Sequence, residues 1–357
     1  MKPPFAVSLL LIPAVILFSR CGDSGLPPIE TPDTTSHSFA WEVTALGDGS
    51  SSVLRDAAIL SDTLVYLAGD VYRLDSLGNY DPDAFNLVSW NGSTWNPMRI
   101  PFLGPCSAVD YPPLYAIWAF SNSRILLTNG GSIVTYDGTS ASMDCGMNSL
   151  LAGAMTKIWA FAPSDIYAVG NSGTIVHSAN STWQKAESGT TVDLQDITGT
   201  ADGSSIWACG YSSDLSQSAL IHSAGGAWST VWSSQTPSTP PYGQLVLTVW
   251  AGSANLYVGA TDGVYRAPLD GSTVPQRVLA LPSVPHRIRG SGENNIAVAC
   301  DDGSVWHYNG ATWKQLVPPE QLKPLYGIAV SANLIVAVGF DATTTNWRGR
   351  VVVGRRR

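Results

Sequence analysis

The chain predicts an all-β fold: a seven-bladed β-propeller of four-stranded antiparallel blades, closed by an N-terminal strand that completes the last blade. Three observations lead there. The stretch Ile158 to Trp183, IWAFAPSDIYAVGNSGTIVHSANSTW, reads as four short strands separated by turns. Its plan recurs along the chain with a basic period of about 40 residues, the length of one such sheet. The last unit lacks a fourth strand, and an unassigned strand stands ahead of the first unit.

In the clearest unit, Ile158-Trp159-Ala160-Phe161 and Ile166-Tyr167-Ala168-Val169-Gly170 have the β-branched and aromatic content of strands. Asn171-Ser172-Gly173 supplies a tight hairpin, Thr174 to His177 forms the third strand, and Trp183 sits in the fourth. Aligned on Trp159, the inner strands place Ala57, Trp118, Thr198, Trp250, Arg289 and Ile328 at the same position. The residue after each is Ala or Gly, as expected where inner strands crowd about an axis. Second strands, such as Leu64 to Gly69, Ile206 to Gly210 and Ile335 to Gly339, are nearly continuous apolar runs, the pattern of strands buried on both faces. Hairpins from third to fourth strand read Asn91-Gly92-Ser93-Thr94-Trp95 and Asn309-Gly310-Ala311-Thr312-Trp313. Asn-Gly predicts a type I′ turn there, with the Trp as a buried anchor of the outer strand.

The ring closes by counting. Tyr326 to Arg357 supplies inner, second and third strands, the third being Arg350 to Val353, and then ends. Phe39-Ala40-Trp41-Glu42-Val43 precedes the first inner strand without a unit of its own. Trp41 lies 16 residues before Ala57, and Trp313 lies 15 before Ile328, so the N-terminal segment is the expected outer strand of blade 7.

Residues 1–20 read as a secretory signal peptide: Lys2, then an apolar run from Phe5 to Phe18 that is short for a membrane span and interrupted by Pro13. Phe18-Ser19-Arg20-Cys21-Gly22 resembles a bacterial lipobox, with Arg20 as a departure, and the resemblance implies lipidation of Cys21. Residues 21–38, rich in Pro, Ser and Thr, read as a flexible tether, and 39–357 as the propeller. The expectation is an extracytoplasmic monomer, lipid-anchored to the bacterial membrane or secreted, that touches a membrane only through that anchor. A net charge of −8, or −10 once Lys2 and Arg20 leave with the leader, repels phosphate backbones and argues against nucleic acid as a partner. Only 13% of residues are charged, against 34 Gly, 13 Trp and 13 Tyr, which suits short strands and turns better than amphipathic helices.

His177, His222 and His307 fall at one third-strand position in three different blades, too far apart to share an ion, so no metal or cofactor is expected. No Ser/His/Asp spacing or nucleophile elbow assigns a catalytic residue. Cys106 and Cys145, in linkers ahead of neighbouring inner strands, are a candidate disulfide, whereas Cys209 and Cys300 are expected to be buried thiols. Asp301-Asp302-Gly303 aligns with a hairpin turn. The candidate ligand-binding residues stand at the inner-strand ends: Arg55, Lys157, Asp196 and Arg287, with Arg289 in place of the common Trp. The cations there either form a local basic spot or pair with nearby carboxylates. The insertion Asp70 to Phe85 and the stretch Ser233 to Gly243 are candidate recognition loops.

Units reading Asp165-Ile166-Tyr167-Ala168-Val169-Gly170, then a Gly turn, then Ile175-Val176-His177, with Asn309-Gly310-Ala311-Thr312-Trp313 as the later hairpin, resemble the repeats of secreted bacterial β-propellers. These include relatives of the photosystem II assembly-factor propellers and of the Asp-box (BNR) repeat proteins. Asn309 and Gly310 are adjacent where the Asp box separates them. The resemblance covers residues 39–354 and implies a fold and a surface location, not a reaction. The expected function is therefore non-enzymatic binding of a protein or glycan partner in the cell envelope, through loops and channel mouth. The alternative is a polysaccharide hydrolase or lyase with carboxylates such as Asp56 and Asp196 at the channel.

Overall fold

Short strands bury little apolar surface singly, so each sheet needs a neighbour on both faces. The computed structural model describes residue 1 and residues 33–48, 50–104, 107–236, 242–270 and 274–357, with no side-chain account of 103–109. In it there are seven four-stranded antiparallel blades, and blades 1 to 6 run outward in chain order. Blade 1 spans Val53 to Met98, blade 2 Ala116 to Asp144 and blade 3 Met155 to Lys185. Blade 4 spans Asp193 to Ser233, blade 5 Val246 to Ala280 and blade 6 Pro285 to Val317. Blade 7 takes Leu325–Val330, Leu334–Asp341 and Arg348–Arg356, and Phe39–Leu46 is its outer strand.

The closing register pairs Trp41 with Gly354 and Val43 with Val352. A Cβ at position 354 would stand 2.7 Å from the Trp41 ring, so the run Val351-Val352-Val353 has to end in glycine. Blades pack face to face. Leu54, Leu67, Val88 and Trp90 of blade 1 meet Val336, Val338, Val351 and Val353 of blade 7 in one core cluster.

The structure corrects the sequence reading at four points. Counted from the strand pairing, the residues level with Trp159 in blades 1 and 7 are Ala58 and Ala329, not Ala57 and Ile328. The residue after that position is then Ile59 in blade 1 and Val330 in blade 7, so it is small in five blades only. At the two glycines the cause is the preceding blade's Trp: a Cβ at Gly199 would lie 2.5 Å from the Trp159 ring, and one at Gly290 2.7 Å from that of Trp250. Ile59 and Val330 follow blades that carry Ala329 and Arg289 instead, and a larger side chain fits.

The Asn-Gly hairpins are not type I′ turns. Gly92 and Gly310 have φ of +97° and +99°, but Asn91 and Asn309 are not left-handed. Their Oδ1 atoms accept from the two amides that close the loop, Ser93 and Thr94 in blade 1 and Ala311 and Thr312 in blade 6. Asp137 does the same for Thr139 and Ser140. The hairpin at Ser172-Gly173, by contrast, has positive φ at both residues. Third, Trp95, Trp183, Trp228 and Trp313 are half-buried, not buried, because the outer strands face solvent on one side.

Fourth, residues 33–38 do not behave as tether. Thr35 N donates to Asn309 O at 3.0 Å, Arg357 N to Ser38 O at 2.9 Å, and Asn294 Nδ2 to Asp33 Oδ2 at 2.9 Å. His37 Nδ1 lies 2.8 Å from His307 Nδ1, and His307 Nε2 lies 2.8 Å from Asn295 Oδ1. Since Asn295 Oδ1 can only accept, His307 carries its proton on Nε2 and accepts from His37 at Nδ1. Burial, with the charges of His37 and Arg356, lowers the His307 pKa to about 3.

A histidine depressed in the folded state favours folding fully above its unfolded value near 6.5, and that contribution falls as pH drops toward 3. Stability is therefore expected to decline by about 1.4 kcal/mol per pH unit, or about 2 kcal/mol between pH 6.5 and 5. Urea denaturation at pH 7 and 5 reads this, and a His307→Asn variant should lose most of the slope whatever its absolute stability. An unchanged slope would place the acid sensitivity elsewhere.

Cys209 and Cys300 are free and buried. Cys145 is disulfide-bonded, while Cys106 lies outside the described residues, as do Cys21, the leader after Met1 and residues 21–32 of the expected tether. Among the described residues, no helix is long and apolar enough to cross a membrane.

Candidate functional site: the axial channel

Six inner strands carry a bulge near their start, and the extra residues are Arg55, Thr156, Gln195, Leu247, His286 and Tyr326. A bulge re-aims the side chain it frees. All six line one mouth of the channel, a cavity of about 600 Å³ that Tyr115, Tyr211 and Arg287 also line. One residue further in, a second tier holds Asp56, Lys157, Asp196, Thr248 and Arg287. Two residues beyond it, Ala58, Trp118, Trp159, Thr198, Trp250, Arg289 and Ala329 line a second cavity of about 290 Å³ at the other end.

The middle tier clasps the ring. The exposed edge of each inner strand must find an acceptor, and the tier provides it across blades. Asp56 Oδ2 accepts from Ile117 N at 3.0 Å, Asp196 Oδ2 from Val249 N at 3.0 Å, and Thr248 Oγ1 from Ile288 N at 3.0 Å. Asp196, with no exposure, also receives Arg287 and Arg289, each at 2.6 Å from Oδ1. Lys157 pairs with Asp56 across the axis, and Arg55 with Asp70 at the first mouth. Burial alone would raise the Asp196 carboxyl, but Arg287 and Arg289 outweigh it and hold it well below the ordinary carboxylate range. Burial lowers the Lys157 ammonium to about 8, opposed by Asp56 and aided by Arg287 and Arg289. Burial raises Asp70 despite Arg55.

The five predicted site residues thus share one axis but not one mouth. Arg55 and Arg287 face the first, Lys157 and Arg289 the second, and Asp196 lies between. Of the two arrangements the sequence left open for these cations, the structure has ion pairs, because each cation has a carboxylate within reach. His177 meets Asp165 at 2.6 Å, His222 meets Ser205 at 2.6 Å and His307 meets Asn295, each inside its own blade. Asp301 pairs with His286 at 2.8 Å, in the turn the sequence suggested. The sequence reading missed Tyr115 and Tyr211 and set Tyr326 aside, because a one-residue bulge does not show in a strand pattern.

In an antiparallel blade, the loops from second to third strand and the interblade linkers share one end, here the end of the first mouth. The insertion Asp70 to Phe85 and the described part of Ser233 to Gly243 belong to it. So do the exposed side chains Leu74, Leu77, Tyr80, Tyr115, Leu215, Leu322 and Trp347, with Leu77 at 83%. Asn346 Nδ2 donates to Tyr80 OH at 3.2 Å, which ties the blade 7 loop to the blade 1 insertion.

Ring, channel and loop-bearing face together define the chain as a β-propeller. No protein-family model matches it, nor does any curated protein. Among solved structures, YCF48 bound to D1 peptide is similar, with a TM-score of 0.62 and 15% identity over 93% of this chain and 99% of that one. Virginiamycin B lyase from Staphylococcus aureus follows at 0.59 and 13%, covering 90% of this chain and 100% of that one. A streptogramin B lyase structure stands at 0.57 and 14%, covering 88% and 97%. At these identities the likeness is one of fold.

Proposed function

We propose that this chain is a binding propeller that takes a segment of a partner protein on its loop-bearing face. The observation behind this reading is the set of exposed apolar side chains around a mouth lined by Tyr115, Tyr211, Tyr326, Arg55 and Arg287. Aromatic residues and arginine beside desolvated apolar surface are the usual composition of a binding hot spot. A propeller of similar fold with a bound peptide, YCF48 with D1 peptide, supports the same use of the scaffold. The leader-like residues 1–20 and Cys21 support a place outside the cytoplasm, on a lipid anchor or free.

The neighbours named as virginiamycin B and streptogramin B lyases keep a lyase in view but say nothing of carbohydrate, and Asp196 does not suit the polysaccharide-acting alternative. Its Oδ1 is shared by two arginines and its Oδ2 by Thr248 and Val249 N, which leaves a carboxylate unable to donate a proton. The test is photo-crosslinking of the full chain from positions 77, 80 and 347, with position 161 on the opposite rim as control. The expected result is one polypeptide joined from all three loop positions and absent from 161. Unrelated products, or equal labelling from 161, would overturn the assignment of this face.

A further inference from the structure

The buried charges along the channel do not balance. Lys157, Arg287 and Arg289 stand against Asp56 and Asp196, and all five are buried or nearly so, the arginine side chains at 12% and 18% exposure. The mouth pairs Arg55 with Asp70 and His286 with Asp301 do not alter the count, and Asp193 faces the first mouth, where it accepts from Ser172 N. A buried charge without a counter-charge is costly, and an anion placed nearby relieves it.

The geometry points to where that anion goes. Lys157 and Arg289 line the second cavity together with Trp118, Trp159 and Trp250, and no carboxylate is among its lining residues. We propose that this cavity is a binding site for a small organic anion, a carboxylate borne on a single ring that stacks on the tryptophans while Lys157 and Arg289 receive its charge. Tryptophan faces accept the C–H side of a sugar ring or an aromatic ring alike, and a guanidinium is suited to a carboxylate. At about 290 Å³ the cavity sits at the lower edge of the roughly 300–1,000 Å³ typical of ligand pockets, which fits one ring and not a chain of them. Burial lowers the Lys157 ammonium, and Arg287 and Arg289 add to the lowering against the pull of Asp56. This site lies at the opposite end of the channel from the protein-binding face, so either reading survives failure of the other.

Calorimetric titration of the full chain with glucuronate, benzoate and glucose tests it, with tryptophan fluorescence as a second signal. At least one carboxylate should bind about tenfold or more tighter than glucose. Preference for glucuronate identifies a saccharide source, and preference for benzoate an aromatic acid. Arg289→Met, which leaves Asp196 its Arg287 partner, should weaken the carboxylate about tenfold or more and leave glucose unaffected. In the unaltered chain at pH 8, binding should take up protons as the anion favours charged Lys157, seen by comparing buffers of different ionisation enthalpy. No binding of either acid up to about 10 mM, equal binding of glucose, or full binding by a folded Arg289→Met variant would each overturn the proposal.

Discussion

Replacing Asp196 by Ala is expected to destabilise the chain by about 3–5 kcal/mol, the usual effect of removing one side of a buried ion pair. The loss is not that of one contact. Arg287 and Arg289 would be left as two buried cations, and Thr248 Oγ1 and Val249 N would lose their acceptor. Asp196→Asn keeps the shape but not the charge and should fall only slightly short of the Ala variant. Exchanging all three for apolar residues of similar volume, Asp196→Leu with Arg287→Met and Arg289→Met, should recover much of the loss, because the desolvation penalty disappears with the charges. Chemical denaturation of the three variants decides it. Should Asp196→Asn fold as stably as the parent chain, the clasp is not structural. A reaction abolished by the same substitution would then restore the carbohydrate-active reading.

How far the sequence discloses this architecture depends on the kind of signal. Blade number, the closing strand and the doubly buried second strands are written in spacing and apolar runs, and these are large, repeated features. Phe39–Leu46 was legible because a sheet with three strands and a strand without a sheet imply each other. The channel was less legible. Arg55 and Lys157 look equivalent when counted back from Ala57 and Trp159, yet the residue level with Trp159 is Ala58, so Arg55 is the bulge residue level with Thr156 and faces the other mouth. The partners of the cations were hidden too: Asp196 and Arg289 are 93 residues apart, and Asp56 and Lys157 101 apart, so only the closed ring brings them together. The Ala and Gly residues after the inner-strand Trp positions were seen, but at Gly199 and Gly290 the cause is a steric fit to the preceding blade's Trp ring, which pattern alone does not contain.

Deleting residues 33–46 is expected to have the largest effect on folding as a single unit. The deletion removes the outer strand of blade 7 and with it the pairing of eight residues against Arg348–Arg356. Arg348–Arg356 would become an edge bearing Val351, Val352 and Val353, a long apolar strand with open hydrogen-bonding groups, which is the kind of edge that pairs with other chains. Phe39 would also leave the cluster it shares with Val305, Leu325 and Val352, so blades 6 and 7 would lose packing as well as pairing. The truncated chain should therefore aggregate or show a broadened, lower melting transition, while Glu42→Ala on the exposed side of the same strand should stay close to the parent. Adding the excised segment as a separate peptide discriminates closure from mere length. If closure is what the segment supplies, the peptide should bind the truncated chain and restore a sharp transition, as a strand added to an open edge does. A truncated chain that melts like the intact one would mean that the ring is held by its inner blade contacts alone.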